Sequence, residues 1–137
     1  MVNGVPEDKS EAVKWYLWYL KAAEQGEVLA QTNLARMYDR GEGVREDQTE
    51  AVKWHRKAAE LGDSSAQYNL GVMIGTGAGA QRDIVEGYAW VSIAAAAGDA
   101  DAKQLLTDAA RTMTKELIAQ GEARSTELSK SIKTNNQ

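Results

Sequence analysis

The sequence predicts an all-α protein: a solenoid of antiparallel helix pairs closed by a C-terminal capping helix. Three observations predict it. First, the chain repeats itself at a spacing of 36 residues. Gly26, Gly62 and Gly98 fall in step, as do Ala30, Ala66 and Ala102, and between them Gln31 pairs with Gln67, Asn33 with Asn69, Leu34 with Leu70, Met37 with Met73, Gly41 with Gly77, Gly43 with Gly79, Asp47 with Asp83, Glu50 with Glu86 and Trp54 with Trp90. So many coincidences at one period mark an internal repeat. Second, apolar residues inside each repeat recur at helical spacing. Third, Asp-x-x-Glu helix starts alternate with glycine stops.

The elements follow in order. Pro6 stands just before a helix start, where its missing N–H does no harm. Asp8 with Glu11 gives the first capping-box pattern, in which the Asp side chain accepts a free backbone N–H and the Glu reaches back to the cap. In the next unit Ala30, Leu34, Met37 and Tyr38 place an apolar stripe on one helix face, and Gly41-x-Gly43 ends that helix. Its partner starts at Asp47 with Glu50 three residues on. There Ala51, Trp54, Ala58 and Leu61 share a stripe, the alanines letting the neighbouring helix approach while the tryptophan fills the space beside it. Gly62 supplies a left-handed closing residue that a β-carbon would penalise. The following unit repeats the scheme with Asp83 and Glu86. Its loop, Gly75-Thr76-Gly77-Ala78-Gly79, is richer in glycine and is expected to be looser.

Such a pair cannot bury its faces alone, so neighbouring pairs stack, and the terminal units must be atypical to shield the last apolar faces. After Gly98 a helix from Asp101 to Arg111 lacks the Gly-x-Gly loop, and Lys115 to Ile132 forms a long last helix with Leu117, Arg124, Leu128 and Ile132 near one face. The expected organisation is one repeat domain over 1–137. It comprises a partial repeat at 4–26 (a second helix with a three-residue insertion near 15–20), repeats at 27–62 and 63–98, a cap at 99–132 and a frayed polar tail at 133–137. The chain begins inside a repeat, without a first helix, as a fragment or a processed product would.

Three runs carry a resemblance to a known family. Ala66-Gln67-Tyr68-Asn69-Leu70-Gly71-x-Met73, the loop Gly41-Glu42-Gly43-Val44 followed by Asp47, and Glu50-Ala51-Val52-Lys53-Trp54 through Ala58-Ala59-Glu60-Leu61-Gly62 are similar to the Sel-one-like repeats, relatives of the tetratricopeptide repeats. The resemblance spans about residues 4 to 131. It implies a right-handed α-solenoid in which the long last helix is the cap, and a role as an adaptor or scaffold for protein complexes, often in bacterial envelope, secretion or host-contact systems. Fold does not dictate function, so the residues are weighed for themselves.

The run WYLWYL, Trp15 to Leu20, holds two registers. Trp18 stands four residues before Ala22, as Trp54 stands before Ala58, yet Asp8, Glu11, Ala12, Val13 and Lys14 match the other units only if Trp15 is the repeat tryptophan. Three inserted residues turn a helix by about 300° and displace it by about 4.5 Å, leaving its faces out of phase. The helix is then expected to project with Trp15, Tyr16 or Tyr19 partly uncovered. Residues 13 to 20, and Trp15, Tyr16, Trp18 and Tyr19 in particular, become a candidate surface for self-association as a homodimer or for partner capture. The alternative is that Trp15 folds onto the first repeat and the insertion is neutral.

Composition narrows the function. A net charge of −4 and a pI near 5.1 lack the clustered basic residues of a nucleic-acid footprint. No stretch reaches about 18 consecutive apolar residues, so no membrane-inserting helix is expected, and residues 1–6 lack a basic region followed by an apolar run. Periplasmic and cytoplasmic placements both stay open. With no cysteine, neither disulfides nor thiolate zinc sites are available.

Candidate chemistry reduces to repeat architecture. The run Gly75-x-Gly77-x-Gly79 copies Gly41 and Gly43, with neither a preceding strand nor a following Gly-Lys-Ser/Thr of a phosphate loop. His55, the only histidine, has no second histidine to share a metal and is expected at an exposed helix position. Asp99 is a helix cap rather than half of an acid–base pair with Asp101, and no serine has a lysine three residues later. No catalytic residue, metal or cofactor is therefore assigned.

The working surface is expected on the first helix of each pair. With Leu34 and Ala35 buried, Thr32, Asn33, Arg36, Asp39 and Arg40 face away, with Tyr68, Asn69, Val72 and Thr76 as their counterparts. Asn33 and Asn69 resemble the asparagine with which tetratricopeptide domains hold a peptide backbone or carboxylate, or they brace their own solenoid. Arg36 and Arg40 suit an anion, because guanidinium forks match carboxylates. The expected function is a non-catalytic interaction scaffold binding a partner protein or peptide in this groove. The alternative is a bacterial cell-wall-related hydrolase or a muropeptide- or β-lactam-binding protein.

Overall fold

The computed structural model of the protein describes residues 9–132; Asp8 with its expected cap, and the tail at 133–137, lie outside the described residues. Among the described residues the chain forms seven helices and no strand: α1 (Lys9–Glu24), α2 (Val28–Arg40), α3 (Gln48–Glu60), α4 (Ser64–Thr76), α5 (Ile84–Ala96), α6 (Ala100–Ala109) and α7 (Lys115–Ser131). Helices α1 to α5 each pack on the next, and α6 and α7 both pack on α5. The starts of α2 and α4, Val28 and Ser64, lie 36 residues apart, as do those of α3 and α5, Gln48 and Ile84.

The acidic helix starts form half of the expected box. Asp47 Oδ1 accepts from the Glu50 N–H at 3.2 Å, and Asp83 Oδ1 from the Glu86 N–H at 3.0 Å. The return half does not form, because each cap's own N–H donates to the first helix of its pair, Asp47 to Tyr38 O at 2.8 Å and Asp83 to Ile74 O at 2.9 Å. The glutamates turn elsewhere, Glu50 to Lys53 at 2.9 Å and Glu86 to Arg124 of α7 at 2.7 Å.

A second device spans the repeats. Buried Gln31 donates through Nε2 to Ala23 O at 3.2 Å, and Gln67 does the same to Ala59 O at 3.1 Å. Each bond fills an acceptor in the last turn of the preceding helix and staples one helix pair to the next. At the equivalent place in α6 stands Lys103, exposed.

The core runs along the solenoid as successive buried clusters, the first two bridged by partly buried Tyr38. Trp54, Leu34 and Ala35 join α2 and α3 to Ala23 of α1, while Leu70, Ile74 and Trp90 join α4 and α5 to Ala58 and Ala59 of α3. Leu34 and Leu70 are fully buried, each contributing about 1.5–3 kcal/mol. Leu128 of α7 and Ile132, its C-cap, pack against the cluster that holds Leu70 and Trp90, as the capping face requires.

Two features differ from expectation. The glycine-rich loop takes the same conformation as its counterpart: Gly77 and Gly79 have φ +83° and +77°, close to +69° and +74° at Gly41 and Gly43. A Cβ on Gly79 would stand 2.3 Å from Gln48 O, and one on Gly43 2.3 Å from Ala12 O, so both loops lie directly on the start of the preceding helix. The extra glycine, Gly75, belongs to α4. There it and Gly71 let α5 come close: a Cβ on Gly87 would lie 2.7 Å from Gly71 O and 2.8 Å from Gly75 Cα.

The second difference concerns α1. Because Gly43 meets Ala12 as Gly79 meets Gln48, the backbone keeps the 36-residue register back to Ala12, and the three extra residues lengthen the start of a 16-residue helix where α3 has 13. There is no phase error in the packed part. Trp18 occupies the place of Trp54, yet it is 70% exposed against 7%, because Trp54 is covered by α1 and α2, and no described residue covers Trp18. Tyr16 and Tyr19, expected to be partly uncovered, are half-buried and pack toward α2; the Tyr16 and Tyr38 hydroxyls are 2.8 Å apart and their rings meet edge to face.

Candidate partner-binding groove

A cavity of about 280 Å³ opens between α2 and α4. Positions i, i+4, i+7 and i+8 of α2 share one face, so Thr32, Arg36, Asp39 and Arg40 form one wall. Helix α4 supplies the other with Ser65, Asn69, Val72 and Met73, and His55 of α3 completes the lining.

Most of the groove chemistry sits on α2. The Thr32 hydroxyl donates to Val28 O at 2.8 Å, spending its hydrogen on its own helix. Arg36 donates through Nη2 to Asn33 Oδ1, and Arg40 stands 3.7 Å from Glu42. Burial holds the Arg36 guanidinium below its ordinary pKa, and the like charge of Arg40 lowers it further, against the pull of Glu42 and Tyr19. An incoming anion would relieve that repulsion.

His55 corrects the expected exposed position: it is 4% exposed, and its Nδ1 is buried without a hydrogen-bond partner. The reason is that α3 is sandwiched. One stripe, Trp54, faces α1 and α2, and another, Val52 and Ala59, joins the core with α4. His55 lies on the second stripe, and its apolar counterpart Val91 was the signal available in the repeat. Burial pushes its pKa down to about 4, against the pull of Asp39, so the imidazole is neutral near pH 7.

The expected groove residues divide. Thr32, Arg36, Asp39, Arg40, Asn69 and Val72 come together on this cavity. Asn33 does not line it and instead braces Arg36, while Tyr68 and Thr76 line the next groove, between α4 and α6. That second cavity, also about 280 Å³, takes the same repeat positions in different chemistry: Thr32 becomes Tyr68, Arg36 becomes Val72, Arg40 becomes Thr76, His55 becomes Val91 and Asn69 becomes Leu105.

At the other end the expected aromatic strip splits. Tyr16 and Tyr19 turn inward, whereas Trp15 and Trp18 line a shallow cavity with Glu11 and Lys14 on the outer face of α1. Among the described residues no group of three or more His, Cys, Asp or Glu is placed to hold a metal ion, and no helix is long and apolar enough to cross a membrane. Asp99 caps α6, accepting from the Ala102 N–H at 2.9 Å.

Comparison with known proteins agrees with this geometry. The Sel1 repeat model matches residues 3–27, 28–63 and 64–99. Among solved structures, the chain is similar to a protective antigen of uropathogenic Escherichia coli displaying an SLR fold, with TM-score 0.86 and 32% identity over 91% of this chain and 27% of that one. It is also similar to a Sel1 repeat protein from Oxalobacter formigenes, with TM-score 0.62 and 44% identity over 64% of this chain and 36% of that one. Cysteine rich protein B of Helicobacter pylori shares the fold, with TM-score 0.64 and 24% identity over 67% of this chain and 69% of that one. The chain thus spans about a quarter of the length of the E. coli antigen. No curated protein matches the sequence. Proteins built of these repeats are generally scaffolds for protein interactions and typically non-catalytic. With three repeats matched over most of its length, the chain belongs to the Sel1 repeat family.

Proposed function

We propose that this chain is a non-catalytic interaction scaffold whose groove between α2 and α4 holds an acidic segment of a partner protein. The observation that carries the reading is the convergence of Arg36 and Arg40 on one wall, opposite Asn69 and beside a neutral, buried His55. Guanidinium forks suit a carboxylate, and Asn69 suits a peptide backbone. The groove is short, so affinity for a single segment is modest. The test is capture of a defined partner by the wild-type chain and by Arg36→Glu with Asn69→Ala. Capture unchanged by both substitutions sinks the reading, and nitrocefin turnover by the pure chain sinks its non-catalytic half.

A second surface is favoured by Trp18 at 70% and Leu17 at 58% exposure. Around Trp15 and Trp18 this patch carries Glu11 and Lys14 one helical turn apart. Opposite charges on one patch make it self-complementary under a two-fold axis, which suits a second copy of this chain. Light scattering on the wild type and on Trp18→Glu decides it. A dimer lost on substitution supports the contact, and two monodisperse monomers remove it.

A further inference from the structure

The groove between α4 and α6 is built on the same plan as the one between α2 and α4, but no charged side chain lines it. Tyr68, Val91, Leu105 and Leu106 make it apolar, and Gly71 and Gly87, where α4 and α5 meet closely, line it as well. The two grooves share a wall: Val72 lines both. Resting on the reading of the first groove as a partner site, we infer that the partner segment is extended and bipartite, with a carboxylate against Arg36 and Arg40 and a bulky apolar side chain seated one repeat away in the groove between α4 and α6.

The chemistry of each half follows from what lines it. Arg36 and Arg40 with Asp39 on the same wall leave one net positive charge, which the single carboxylate of Asp, Glu or a chain terminus neutralises. The second groove offers little polar recognition and rewards apolar area removed from water. The two grooves lie on either side of α4, and a helix with its side chains is about 10–12 Å across. An extended chain advances about 3.3 Å per residue, so the carboxylate and the apolar side chain stand about three residues apart in the partner.

The test uses fluorescence anisotropy with labelled, C-terminally amidated peptides of Ser and Gly carrying one Glu and one Leu. The pair is spaced by about three residues, in either chain order, or by about eight. Peptides with Glu alone or Leu alone serve as references. The expected result is that one order of the closely spaced pair binds at least about tenfold more tightly than the Glu-only peptide, and that the gain vanishes at the long spacing. Leu105→Asn and Tyr68→Thr, which write the first groove's residues into the second, are expected to abolish the gain while leaving Glu-only binding unchanged. A paired peptide no tighter than Glu alone, or a gain indifferent to spacing, overturns the inference while leaving the first groove standing. Failure of every peptide, Glu-only included, removes the first groove's reading and this inference with it.

Discussion

The two grooves are made by the same backbone from positions 36 residues apart, yet one is lined by Arg36, Arg40, Asp39 and His55 and the other by Val72, Thr76, Gly75 and Val91. Positions that hold the helix pairs together scarcely change between them: Leu34 and Leu70, Trp54 and Trp90, Ala58 and Ala94 are buried in both. Packing at about crystal density leaves those positions little freedom, whereas groove-facing positions such as Arg36 and Arg40, only partly covered, are freer to change. A repeat protein can therefore hold its architecture constant while each inter-repeat groove acquires its own chemistry.

Among the groove residues the largest expected effect is on acid stability. His55 has a folded pKa of about 4 against 6.5 for the free side chain. Above pH 6.5 it is neutral in both states and contributes no slope. As pH falls from 6.5 toward 4 the unfolded chain takes up a proton that the folded chain refuses, so stability is lost, on the order of 3 kcal/mol in all. The charged groups facing it are Asp39, which opposes the shift, and Arg36 and Arg40 across the groove. Urea unfolding at pH 7 and pH 4.5 checks this, with His55→Val, the residue of the second groove, expected to remove much of the difference. Next, Arg36→Val with Arg40→Thr converts the first groove to the second groove's chemistry. Affinity for an acidic peptide is expected to fall about 100-fold in a calorimetric titration, with helicity unchanged.

Beneath the apolar groove the packing is closer. Gly87→Ala drives a Cβ into backbone of α4 and is expected to lose about 1–3 kcal/mol by thermal unfolding, although Gly to Ala in an unencumbered helix stabilises. Outside the grooves the comparison extends to another equivalent pair. Trp54→Ala is expected to cost about 3–5 kcal/mol and Trp18→Ala, at the same repeat position, less than about 1 kcal/mol. Equal costs would show that Trp18 is covered in solution.

The repeat made the helices and their stops legible, because Gly41, Gly62, Asp47 and Asp83 act through bonds within a few residues of themselves. The wall of α2 was legible for the same reason: Thr32, Arg36 and Arg40 follow from helical spacing alone. His55 was not. Its burial depends on α4 lying over the side of α3 away from Trp54, and a single apolar stripe per helix does not anticipate a helix covered on two sides. Of the two readings open for Asn33 and Asn69, Asn33 takes the bracing one: it turns to its own helix's Arg36, where no counterpart arginine exists in α4.

The doubled WYL run marks the same boundary. In sequence it held two registers with nothing to choose between them. The contact of Gly43 with Ala12 chose one, and the inward stacking of Tyr16 on Tyr38 left Trp15 and Trp18 outside. The sequence by itself determined the period, the helices and their caps, since these rest on spacing and on interactions local in the chain. Only the tertiary structure decided which tryptophan is covered, that the histidine is buried and neutral, and which residues line each groove, because burial and electrostatics depend on neighbours that the chain brings from 20 to 40 residues away.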